Sequence, residues 1–91
     1  MTTRTLIKTN GMQVPIERQS IKAITALLNA DCLDTVNLRR DGLVMIVDDA
    51  GQQKQLPVNA HATRLYLSVC RPGVVYQIRG DVVVVPDSDF N

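Results

Sequence analysis

Leu43-Val44-Met45-Ile46-Val47 is a run of five apolar residues, closed on one side by Asp41-Gly42 and on the other by Asp48-Asp49-Ala50-Gly51. Strict alternation of apolar and polar residues marks a strand with one wet face. An unbroken apolar run of this length between turn signals reads instead as a strand buried on both faces. Working back from it, Val36 and Leu38 alternate with Thr35, Asn37 and Arg39, so Asp41-Gly42 joins two strands of a hairpin. Working forward, the polar stretch Gln52 to Gln55 reads as a returning edge strand that ends at Leu56-Pro57.

The same grammar recurs at both ends of the chain. Arg4 to Lys8 leads into Asn10-Gly11, a dipeptide suited to a tight hairpin turn, and Met12, Val14 and Ile16 form the returning strand, with Pro15 placed at an edge. Ile21, Ile24, Leu27 and Leu28 then recur at helical spacing behind Ser20, whose hydroxyl can accept from the first-turn amides. A second helical pattern opens at Pro57-Val58-Asn59, with Asn59 as its cap and Val58, Ala62, Leu65 and Val69 on one face. Arg71-Pro72-Gly73 breaks it. Val74 to Ile78 and Val82 to Val85 follow as strands separated by Arg79-Gly80-Asp81. Hairpins separated by single helices predict an α+β fold: a mostly antiparallel sheet with two short helices packed on one face, in a single domain over residues 1–91.

Composition narrows the function. The chain has 91 residues, 45% hydrophobic and 21% charged, as expected of one folded domain. Phe90, Tyr66 and Tyr76 are the aromatic residues, so the core is aliphatic and apolar surface left over favours a homodimer. Ten basic against nine acidic residues give a net charge of +1, without the strong positive field of a nucleic-acid binder. No apolar run is long enough for a signal peptide or a membrane span, so a cytoplasmic location in a host cell is expected. Cys32 and Cys70 stand far apart with no second pair, and read as small buried apolar residues.

Motifs for catalysis are missing. There is no phosphate-cradling glycine loop, no Walker lysine and no nucleophile elbow, so no cofactor is expected and the chain reads as a non-enzyme. His61 is the lone histidine and reads as a surface residue in the first turn of the second helix. Asp48-Asp49 reads as a solvated turn and Asp87 with Asp89 as a frayed acidic tail, although carboxylates at these four positions are also the material for a metal-dependent hydrolase. Arg79-Gly80-Asp81 is read as turn chemistry. Arg39, Arg40, Lys54, Arg71 and Arg79, with Arg64, would form an anion-binding groove if they converged, which is the basis of a nucleic-acid-associated alternative.

The order of signals from Val36 onward resembles the DUF3846 family. It runs through Val47-Asp48-Asp49-Ala50-Gly51, Leu56-Pro57-Val58-Asn59, Ala62-Thr63 and Ile78-Arg79-Gly80-Asp81-Val82-Val83. The first forty residues are similar more loosely, through Asn10-Gly11 and Leu27-Leu28. The resemblance implies a compact domain of unassigned activity in a phage or other mobile element, with no catalytic residues to carry over. The matching polar positions have structural explanations as caps and turns. Their functional counterpart is a ligand site formed by Asn59, Thr63 and Asp81 with Arg64 beside them. A non-catalytic accessory protein follows, one that binds a host macromolecule or sequesters a small signalling ligand through the Gln52 to Gln55 edge or the helix surface around His61, Thr63 and Arg64.

Overall fold

The computed structural model describes residues 4–38, 42–70, 72, 73 and 76–90. Five strands form one open antiparallel sheet: β1 (Thr5–Ile7), β2 (Gln13–Pro15), β3 (Leu33–Asn37), β4 (Leu43–Asp48) and β5 (Val82–Pro86), in the order β2-β1-β5-β4-β3. Two helices, α1 (Ile21–Leu27) and α2 (Ala60–Leu67), complete the α+β architecture, and a short 3-10 helix (Asp87–Phe90) follows β5. Pro15 lies on the edge strand β2, where its missing N–H leaves no gap in the ladder.

The centre of the sheet is β5, inserted between β1 and β4 with Leu6 opposite Val83 and Ile46 opposite Val83 on its other side. Its residues alternate between two cores. Val82 and Val84 join Ile7, Met45, Val47 and Ala62 on one face, with Leu65 and Tyr66 of α2 packed against them. Val83 and Val85 join Leu6 and Ile46 on the opposite face, covered by Ile24 and Leu28 from α1 and its C-terminal cap. The helices were expected on one face of the sheet, and they lie on opposite faces. The reason is in the strands: consecutive apolar residues along β4 and β5 leave both faces in need of cover, and one helix cannot supply it.

Each helix is bounded by side-chain chemistry. Ser20 Oγ accepts from the Ala23 N–H at 3.0 Å to start α1. It ends with Asn29 in the left-handed region at φ 52°, while the Ala30 N–H reaches back to Thr25 O and the Asn29 N–H to Ala26 O, a pattern that satisfies the last carbonyls. Only Ile24 and Leu28 of its apolar residues are buried; Ile21 and Leu27 face outward because seven residues make barely two turns.

Other expectations are corrected. Gln52 to Gln55 is not a strand: Lys54 N–H bonds to Ala50 O, Gln55 N–H to Gln52 O and Leu56 N–H to Gly51 O, so the stretch coils into successive turns. Lys54 is drawn back by a 2.8 Å ion pair with Asp48. Asp48 is therefore no solvated turn residue, and only 6% of its surface is exposed. Residues 74 and 75 lie outside the described residues, and 76–78 form no strand, with one isolated bridge from Val58 to Arg79 beyond them. Cys32 is exposed rather than buried, and Cys70 is half-buried. Among the described residues, no helix is long and apolar enough to cross a membrane.

The acidic C-terminal segment is also not frayed. Asp89, its side chain 3% exposed, takes a two-pronged contact from Arg4 Nε and Nη2 at 2.8 Å each, and Arg18 donates to its carbonyl at 3.2 Å. The hydrogen bonds from Arg4 hold its carboxyl below the ordinary carboxylate pKa, against the opposing effect of burial. A depressed folded-state pKa stabilises the fold above the unfolded value of about 3.9 and loses that contribution as pH falls through the folded value. Asp89→Asn is therefore expected to be less stable than the parent at pH 7, with the gap in urea midpoint closing as pH falls below about 4. A gap that stays constant down to pH 2 would show that the ion pair contributes nothing.

Candidate functional site

Three of the four polar residues proposed as ligand contacts are engaged by the protein's own backbone, Asn59 and Thr63 at the Ile78–Gly80 segment and Asp81 at Thr9. Asn59 is 1% exposed. Its Oδ1 accepts from the Ala62 N–H and caps α2, and its Nδ2 donates to Ile7 O at 2.9 Å and Gly80 O at 3.0 Å. Thr63 Oγ1 accepts from the Ile78 N–H at 2.9 Å and lies 3.4 Å from Ile78 O. Asp81 Oδ1 accepts from the Thr9 N–H at 3.0 Å. These side chains tie β1, α2 and the approach to β5 into one body. Arg64 stands apart, exposed on α2.

Gly80 belongs to the same junction. At φ 83° it occupies a backbone region that L side chains disfavour, and a Cβ there would stand 2.8 Å from Leu56 Cδ1.

The proposed basic patch divides. Arg39, Arg40 and Arg71 lie outside the described residues. Lys54 is engaged by Asp48 and also donates to Asn29 O at 3.2 Å. Burial pulls the Asp48 pKa upward, yet the hydrogen bonds from Lys54 and the Ala50 N–H, with the lysine charge, outweigh it and hold the carboxyl below its ordinary range. Arg79 Nη1 donates to Leu56 O at 3.0 Å. Lys54 and Arg79 open onto different depressions of the surface: Lys54 borders one of about 190 Å³, Arg79 a larger one.

That larger depression is a groove of about 500 Å³ at the C-terminal end of β4. Val47 and Ile78 are buried and form its floor. Gln52 and Gln53, both exposed, stand on one side, and Tyr76, Gln77 and Arg79 on the other. The first side is held stiffly, because the coil of turns from Asp49 to Leu56 is closed by its own backbone bonds, by the Asp48–Lys54 pair and by the Asp49 N–H bond to Cys32 O. Gly51 lets the two sides approach: a Cβ there would stand 3.1 Å from the Arg79 carbonyl oxygen, a backbone atom that cannot turn aside. Tyr76 is half exposed and meets Tyr66 edge-on, with ring centroids 5.5 Å apart and planes at 62°. The nearby Cys70 thiol and partial burial raise the Tyr66 phenol pKa above its usual value.

Tyr76 and Gln77 did not stand out in the sequence, and Gln52 and Gln53 did so only as part of an exposed strand edge. Gln52 and Gln53 read as strand, Tyr76 and Gln77 as the interior of another, and no local pattern announces that a turn and an extended segment some twenty residues apart will face each other. Among the described residues, no group of three or more His, Cys, Asp or Glu side chains is placed to hold a metal ion. No protein-family model, no curated protein and no solved structure matches the chain.

The Asn59 junction is open to a direct test. Asn59→Ala removes the cap and leaves two carbonyls at a buried site without their donor, a loss of about 2–4 kcal/mol. Asn59→Asp keeps the cap but faces a carboxylate toward the same two carbonyls, so urea denaturation should find it no more stable than the alanine variant. An aspartate variant as stable as the parent would contradict this role.

Proposed function

We propose that the chain is a non-catalytic recognition domain, an accessory protein of the phage or mobile-element kind that its resemblance implies, and that it takes its target in the groove between Gln52–Gln53 and Tyr76–Arg79. The observation that carries this reading is the chemistry of the rim. Among the described residues, no hydrogen bond engages the side-chain amides of Gln52, Gln53 and Gln77, while Asn59, Thr63 and Asp81 are occupied within the fold. A volume of about 500 Å³ falls in the range of small-molecule sites, and polar groups of this kind, set around an apolar floor, give orientation and specificity.

The aspartates favour recognition over metal-assisted hydrolysis. Asp48 ends β4, whereas the Asp87 N–H bonds to Gly42 O at the other end of that strand. Six residues of strand separate the two ends by about 17 Å, too far for one ion to be shared. Asp48 and Asp89 are each neutralised by a different cation, Lys54 and Arg4.

Native mass spectrometry of the chain purified from its host should reveal a bound species above the 10.1 kDa protein mass. Gln77→Ala, which alters an exposed side chain with no role in the core, should reduce its occupancy. A bound species retained equally by that variant and by Gln52→Ala would place recognition elsewhere on the molecule.

A further inference from the structure

The groove's chemistry also restricts what it can hold. We infer that its ligand is a nucleobase carrying a phosphate, an inference that rests on the groove being the binding site. Tyr76 is the first reason. Its ring is braced edge-on by Tyr66 and still half exposed, so a flat surface is held at the rim without needing to be ordered on binding. Bases stack on such a ring irrespective of their identity. The second reason is the three amides. Gln52, Gln53 and Gln77 each offer a donor and an acceptor in one plane, which complements the donor and acceptor edge of a base.

Arg79 supplies the third reason. Its Nη1 is held by Leu56 O, which fixes the guanidinium at the groove, and among the described residues its remaining nitrogens have no hydrogen bond. A planar cation anchored at one corner presents a fork suited to two phosphate oxygens. Two carboxylates also line the groove: Lys54 offsets Asp48 from 2.8 Å, whereas Asp49 is exposed with no ion pair among the described residues, so an anion there is held by Arg79 against one solvated negative charge.

Competing ligand classes fit less well. An extended peptide would pair with the backbone of the groove wall, but the Ile78 N–H and carbonyl are taken by Thr63 and Asn59, and the Gly80 N–H by Pro57 O. A bare anion would leave the amides and the ring idle. A wholly apolar molecule would meet Val47, Ile78 and the Tyr76 ring but leave the three amides and Arg79 without partners.

The test uses the isotope-labelled full chain and follows amide resonances of Gln52, Gln53 and Gln77 while adenosine, guanosine, cytidine and uridine 5′-monophosphates, and eight-nucleotide homopolymers of the same bases, are titrated. At least one monophosphate or homopolymer should shift these resonances saturably, and Tyr76→Leu and Gln77→Ala should each weaken that binding, the former about tenfold or more. A monophosphate that binds as tightly as its homopolymer marks a free nucleotide as the source; a homopolymer that binds more tightly, with steep loss in added salt, marks a single strand. If no nucleotide moves the resonances at millimolar concentration but a mixture of short peptides does, the nucleotide inference fails and the groove remains a binding site. If neither does, both fail. Nucleotide binding unchanged in both variants also overturns the inference.

Discussion

Two-sided burial of the β4–β5 pair is the constraint on which the rest of the molecule depends. Val82, Val83, Val85, Met45 and Ile46 are fully buried, and in an antiparallel pair neighbours along a strand point to opposite faces. A one-residue slip between the two strands would exchange the two cores, so register is strongly specified. Among the described residues, seven of the fourteen buried hydrophobic side chains lie on this pair. Both helices then have defined places, α1 over Ile46, Val83 and Val85, and α2 over Met45, Val82 and Val84.

The groove inherits its rigidity from that pair. Its floor residue Val47 is the continuation of β4, and its far side lies just before the entry to β5. The Asn59 and Thr63 side chains fasten that far side to α2, and the Asp48–Lys54 pair fastens the near side to the end of β4. Polar residues close to the groove thus divide into two kinds. Those that are buried hold the frame, and those that are exposed on the frame, Gln52, Gln53, Gln77 and the outer part of Arg79, are available to a ligand. The proposed site, framed by ordered backbone, would lose little conformational freedom on binding.

Much of the fold was legible because it is written in short-range patterns. Ser20 and Asn59 cap the helices as their spacing indicates, Asn10-Gly11 closes the first hairpin, and Leu43 to Val47 is the doubly buried strand its composition describes. The placement of α1 and α2 on opposite faces was implicit in that same run. The site was far less legible. The hydrogen-bond partners of Asn59, Thr63 and Asp81 are main-chain groups, and sequence does not reveal which buried carbonyl a cap will also satisfy. Asp89 is distant from Arg4 along the chain by nearly its whole length, so no local signal marks their pairing. Gln52 to Gln55 reads as strand by polarity alone, while the pull of Asp48 on Lys54 and the left-handed Gln55 make it a coil of turns.

Native-state hydrogen exchange tests the two-sided frame most directly. Amides of Met45, Ile46, Val83 and Val84 are expected to exchange only through global unfolding, with protection equal to the free energy measured by urea denaturation, while β2 and the outer edge of β3 exchange through smaller openings. Exchange of the β4 and β5 amides at the rates of the edge strands, well below the global free energy, would contradict it.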